Sequence, residues 1–127
     1  MIAYSRGAAA YRQVEAQSRS PLELVVMLYD GALARLTEAD GAAGRGDLRG
    51  RGIAVSKALA IITSLQETLN VQSGGAVAAE LDRLYTYSSQ RLLDVTLKQD
   101  ASGIREVHKL LSQLRDAWQQ IAESETP

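Results

Sequence analysis

Apolar residues recur along the chain at alternating spacings of three and four in four separate stretches, the signature of helices that each turn one face to a core. In the first stretch the stripe is Leu22, Val25, Tyr29, Ala32, Leu36, Ala39 and Ala43. It opens on Ser20-Pro21-Leu22-Glu23: an N-cap serine, a proline at the first helical position and a glutamate at the third. That is a capping box, in which side chains satisfy backbone N–H groups the helix leaves orphaned. The helix should stop near Gly44-Arg45-Gly46. The second stretch starts near Asp47, an N-cap residue type, with the stripe Val55, Ala58, Ile62, Leu65 and Leu69. Gly50 and Gly52 weaken its first turns by about 1 kcal/mol each. After a break from Asn70 to Gly75, the third runs from Gly75 to Gln99 on Val77, Leu81, Leu84, Ser88, Leu92 and Val95. The fourth begins between Asp100 and Ser102 and ends near Glu123, on Ile104, Val107, Leu111, Leu114, Trp118 and Ile121.

No proline falls between Leu22 and Thr126 to interrupt these helices. Segments of about 22 residues span roughly 33 Å each. Their short connections make neighbours antiparallel. Period-two alternation of useful length is missing, so strands are not supported. The expected fold is all-α, an antiparallel up-down four-helix bundle over residues 20–127. Residues 1–19 stand apart. Tyr4, Ala8, Tyr11 and Val14 put two tyrosines on one side of a short helix that is too short to be stable alone, so the segment is expected to be flexible or docked on the bundle.

Composition narrows the chemistry. The formal net charge of −1 gives nucleic acid no electrostatic footprint, and no run of like charges reads as a tail. There is no cysteine, and one histidine cannot build a multi-histidine metal site. No apolar run approaches the roughly 20 residues of a membrane span, and the start lacks the apolar core of a secretory signal. A cytoplasmic protein without membrane insertion is expected. Gly44-Arg45-Gly46 and Gly74-Gly75 do not continue into the Gly-Lys-Ser/Thr of a phosphate loop. Glu106-Val107-His108 has the wrong spacing for a di-iron bundle, and no second copy exists. His108 is read as a solvated surface residue, since no nucleophile is placed beside it. Arg35, Glu38, Asp82, Arg83, Arg105, Glu106 and Lys109 are read as outward, solvated charges. An enzyme is not expected, nor a cofactor.

What remains is an excess of apolar surface. Leu24-Val25-Val26-Met27-Leu28-Tyr29 is hydrophobic around the whole helix, so one stripe fills the core while Leu24, Met27 and Leu28 need another partner. Ile61, Tyr85, Tyr87, Leu93, Leu97 and Leu110 add to the excess. Each alone reads as core or core edge. Together they suggest a groove for partner helices. The candidate partner-binding set is Tyr4, Tyr11, Leu24, Met27, Leu28, Ile61, Leu65, Tyr85, Leu93 and Leu97.

Ser18-Arg19-Ser20-Pro21-Leu22-Glu23-Leu24-Val25-Val26-Met27-Leu28-Tyr29-Asp30-Gly31-Ala32 resembles the opening signature of the FliS family of flagellin export chaperones. Lys57-Ala58 through Ile61-Ile62, Gly74-Gly75, Leu84-Tyr85-Thr86-Tyr87, Arg91-Leu92, Glu106-Val107, Leu110-Leu111 and Ala117-Trp118 are similar to its later helices in order. The likeness covers about residues 4 to 121. Lys98-Gln99-Asp100 stands where the family has an Asn-Asp turn, and Glu80 where asparagine is frequent. The resemblance implies an antiparallel bundle that takes the disordered C-terminal segment of flagellin into hydrophobic grooves, blocks premature filament assembly and passes the subunit to the flagellar export gate. Gly7-Ala8-Ala9-Ala10-Tyr11-Arg12-Gln13-Val14 aligns with a segment carrying a functionally important tyrosine, which Tyr11 matches. A monomer or weak homodimer is expected. Two other readings stay open: a structural homo-oligomeric bundle that covers its apolar excess with copies of itself, and a metal or cofactor bundle enzyme.

Overall fold

A computed structural model describes residues 20–72 and 75–124; among them lie four helices and no strand. They are α1 (Pro21–Gly44), α2 (Leu48–Gln72), α3 (Gly75–Leu97) and α4 (Ser102–Ser124). The expected all-α bundle is observed. The division at residue 19 falls outside the described residues.

The helix ends follow the local chemistry. Ser20 is extended, with φ −150° and ψ 156°, and its Oγ accepts from the Glu23 N–H at 3.2 Å. At the other end of α1 the Arg45 N–H donates to the Gly41 and Ala42 carbonyls, and Gly46 takes a left-handed φ of 72° that turns the chain. Asp47 then accepts the Gly50 N–H at 2.9 Å and caps α2.

The backbone of each helix lies close to two others: α1 and α3 both lie between α2 and α4, and the α1–α3 and α2–α4 diagonals are bridged only by side chains. Cross-links show the directions. As numbering rises along α1 it falls along α4: Asp30 pairs with Arg115 at 2.8 Å, and Asp40 with Arg105 at 3.1 Å. Gln66 and Arg51 of α2 likewise reach Thr86 of α3 (3.1 Å) and Gln99 just beyond it (3.0 Å).

The core is built from the expected stripes, with Leu36, Ala58, Ile62, Leu92, Val95, Val107 and Leu111 sealed from water. Two positions depart from expectation. Val77 and Ile121 are exposed, and in the last turn of α4 the buried residue is Ala122. A strict heptad drifts around a straight helix of 3.6 residues per turn, so a stripe extended by rule leaves the core at its ends.

Across the diagonal the core is polar at one point. The hydroxyls of Tyr29 and Tyr85 meet at 2.5 Å, their rings 6.4 Å apart and tilted by 48°. Both side chains are buried, and each hydroxyl answers the other's need for a partner. Burial pushes the Tyr29 hydroxyl well above its usual range; the Tyr85 hydroxyl adds to this and the Trp118 indole N–H opposes it. Burial raises the Tyr85 hydroxyl too.

Glycine permits one close approach. A Cβ built on Gly103 would stand 3.0 Å from the Arg91 carbonyl oxygen and 3.1 Å from Val95 Cγ2, so α4 meets α3 there backbone to backbone. Gly31 differs: its Cβ would lie 3.5 Å from Ile61 Cδ1, an ordinary contact.

Replacing Tyr29 or Tyr85 alone by phenylalanine strands the remaining hydroxyl and should cost about 1–3 kcal/mol. The double variant should cost less than the sum, as read by urea unfolding. Because both folded pKa values are raised, the stability this confers is present below pH of about 10 and is lost as pH climbs above it, when only the unfolded chain ionises. Tyrosinate absorbance from this pair should therefore appear together with loss of helix, not before it. Gly103→Ala should destabilise by about 1–3 kcal/mol, because it overpacks a backbone contact. Gly31→Ala should stabilise by up to about 1 kcal/mol, because it restores helix propensity without a clash. Thermal melts that gave both glycine variants the same sign would contradict this geometry.

Candidate functional site

The candidate residues that the structure describes sort into three groups. On the flank of α1 that faces α2, Leu24 and Leu28 lie one turn apart, with Gly31 a further turn along against Ile61. Leu28 and Ile61 are half-buried and lean on the core, Leu24 is half-buried, and Met27 is 42% exposed. This seam is apolar, with a glycine notch in it. A second patch lies on the solvent side of α3, where Leu93 and Leu97 follow at one-turn spacing, the latter 76% exposed. These two groups match the expected excess.

Leu65 and Tyr85 do not. Each is 2% exposed and belongs to the core, so the expectation that they line a surface groove is corrected. Leu65 continues the inward stripe of α2, and Tyr85 is drawn in by its hydroxyl partner on α1. Tyr4 and Tyr11 lie outside the described residues. Tyr87 is exposed and Leu110 half-buried.

Two polar clusters flank these patches. At the α3–α4 corner Arg91 is the hub. Its Nε donates to Glu106 at 2.8 Å, and its two terminal nitrogens donate to Asp100 at 3.0 Å and Ser102 at 3.1 Å. The Ser102 hydroxyl also donates to Asp100, and the Tyr87 hydroxyl to Glu106. Hydrogen bonds from Ser102 and then Arg91 hold the Asp100 carboxyl below its usual range; those from Tyr87 and then Arg91 do the same for Glu106. The bond to Glu106 in turn raises the Tyr87 hydroxyl. Every member spends its donors or acceptors inside the cluster, which clamps the corner and leaves little to offer a ligand. Glu106 is exposed and paired, as expected, and its partners lie on the neighbouring helix.

Between α1 and α4 a cleft of about 230 Å³ is floored by Leu36 and Ile104 and rimmed by Thr37, Asp40, Arg105 and His108. His108 is half-buried there, its Nε2 3.5 Å from Thr37 Oγ1, so it is less solvated than its sequence position suggested. Among the described residues no group of three or more His, Cys, Asp or Glu side chains gathers to hold a metal. No helix among them is long and apolar enough to cross a membrane. The arrangement is suited to burying a partner's apolar side chains along helical seams.

If Met27 and Leu93 are surface positions, serine there should change stability in urea by no more than about 0.5 kcal/mol. Leu92→Ala, one residue away and fully buried, should cost about 2–5 kcal/mol. A large loss at Met27 or Leu93 would place them in the core.

The chain matches the family model described as "Flagellar protein FliS" over residues 4–125. It is 41% identical over 121 residues to the flagellar secretion chaperone FliS of Salmonella typhimurium, covering 91% of this chain and 90% of that protein. It is 36% identical to the flagellar secretion chaperone FliSB of Pseudomonas aeruginosa, over 88% of this chain and 92% of that one. The flagellar secretion chaperone FliS of Bacillus subtilis is 33% identical, over 91% and 86%.

Proposed function

The chain belongs to the FliS family, a family of flagellar secretion chaperones, and we propose that it acts in the cytoplasm on the disordered C-terminal segment of flagellin. The segment folds into helices on the two apolar patches, the α1–α2 seam of Leu24, Met27, Leu28 and Ile61 and the α3 face of Leu93 and Leu97. Occupied in this way, flagellin cannot assemble prematurely and is handed to a component of the export gate. The observation that carries the reading is the exposed apolar surface at both patches on a bundle whose core is otherwise closed.

The energetics suit reversible capture. Coupled folding of a disordered segment typically buries on the order of 1,000–3,000 Å². At about 25 cal/mol per Å² the gross gain is large, and the ordering of the segment consumes most of it. The seam is already formed in the chain without a partner, which keeps its own ordering cost low. We propose further that the Tyr4–Tyr11 segment competes with flagellin for the seam.

Titration calorimetry against a synthetic flagellin C-terminal peptide tests this. Met27→Glu and Leu93→Glu should each weaken binding by about tenfold or more, since a charge desolvated in an apolar contact costs well over 1.4 kcal/mol. Deleting residues 1–14 should tighten binding; unchanged affinity would argue against that competition. Light scattering should show a monomer or weak dimer that takes up peptide. A dimer or tetramer that forms regardless of peptide and binds none would favour the structural bundle instead.

A further inference from the structure

Cations and carboxylates are unevenly matched on this surface. Of the eleven lysines and arginines among the described residues, six have a carboxylate within ion-pair distance: Arg35, Arg83, Arg91, Lys98, Arg105 and Arg115. Of the other five, Arg45, Arg49, Arg51 and Lys57 fall in one short window at the start of α2, and only Lys109 lies elsewhere. Arg51 is buried and donates to Gln99. Arg45, Arg49 and Lys57 are exposed. No acidic residue occurs between Asp47 and Glu67, and the Asp47 carboxylate is occupied in capping α2. The Asp47 charge offsets one of them, and the rest of the window meets no acidic residue before Glu67.

The same window exposes large apolar side chains. Leu48 is 58% exposed in the first turn, and Ile53 is 48% exposed. Arg49, Ile53 and Lys57 stand at spacings of four, so they form one line along the outer face of α2, cation, isoleucine, cation. The next residue of that line is Ile61, which belongs to the α1–α2 seam. The line therefore starts basic and runs into an apolar groove.

We infer that the outer face of α2, from Arg45 to Lys57, docks an acidic amphipathic helix of a partner protein. An ideal occupant sets an apolar residue on Ile53 and places carboxylates over Arg49 and Lys57. Arginine and exposed aliphatic side chains together are the composition of an interface centre, and the unmatched charge selects an acidic partner over a basic one. An anionic membrane is the poorer fit. Recognition of acidic lipid takes clusters of about four to eight cations, each worth about 1 kcal/mol, and only three are exposed here. The inference does not depend on flagellin being the ligand of the neighbouring seam.

Calorimetry with a synthetic peptide of glutamate and leucine at helical spacing is the test. The full chain should bind it, and binding should weaken steeply with added salt. Arg49→Glu/Lys57→Glu should weaken it by about tenfold or more with an unchanged circular dichroism spectrum, since both residues are exposed. Lys109→Glu, a charge reversal on α4 that shifts the net charge half as far, should leave binding within about twofold. Failure of the peptide to bind would overturn the inference. So would indifference to the α2 reversals, an equal loss in Lys109→Glu, or tighter binding to phosphatidylglycerol vesicles than to the peptide. If flagellin peptide bound normally while the acidic peptide did not, this inference alone would fall.

Discussion

A helix that is apolar around most of its circumference cannot be satisfied by a square bundle in which each helix touches only two neighbours. The first turns of α1 are such a helix. Val25, Tyr29, Ala32 and Leu36 face the centre, and Val26 is buried as well. Leu24, Met27 and Leu28 then lie on the side toward α2, which covers them only in part. The geometry leaves no third neighbour for α1, because α3 sits across the diagonal. The excess is thus a consequence of topology as much as of composition. Any substitution that made α1 conventionally amphipathic would remove the seam and leave the fold intact.

That open seam puts weight on the rest of the bundle, which must hold its shape without help from a partner. Polar contacts do part of this. The Tyr29–Tyr85 hydroxyl pair ties α1 to α3, two helices whose backbones do not approach each other closely, and fixes their relative height, since a shift of one turn would separate the two buried hydroxyls. The Arg91 cluster does the same for the α3–α4 corner. Gly103 lets those two helices approach closely enough for Arg91 to reach across. Gln99 completes the corner in a left-handed conformation, φ 55°, at the turn where the family resemblance leads one to expect Asn-Asp. Asparagine adopts that conformation more readily than glutamine. Here glutamine's longer reach is used, because its Oε1 accepts from the buried Arg51 guanidinium at 3.0 Å. The local strain and the interhelical bond go together.

The sequence made the helices legible because their determinants are local. The Ser20 cap, the Gly46 turn and the Asp47 cap each act within four residues, and the observed ends fall within two or three residues of the expected ones. The site was half legible. Apolar excess on α1 and α3 can be counted from periodicity, and Met27, Leu93 and Leu97 are exposed as counted. Tyr85 stands on the inward stripe Leu81, Tyr85, Ser88, Leu92 and Val95, so its burial follows the local period; only its hydroxyl partner, 56 positions away, is beyond any local pattern. Leu65 sits on the inward stripe of its helix, and the stripe was the better guide. Glu106 and Tyr87 became partners through a corner that forms only when α3 and α4 pack. The basic window of α2 was hidden differently. A whole-chain charge of −1 averages it away, although the acid-free stretch after Asp47 is plain in the sequence.

The two surfaces divide the work of capture along physical lines. Apolar contact in the α1–α2 seam is short-ranged and acts only once chains touch, so it governs how slowly a bound segment leaves. Unmatched cations on α2 act over roughly a Debye length, about 8–10 Å in ordinary salt, and govern how often and in which orientation an acidic segment arrives. Because Arg49, Ile53, Lys57 and Ile61 form one continuous line, a segment oriented by the basic end is already aligned with the apolar end. A groove that was apolar throughout would bind in either direction. A polarised one distinguishes them.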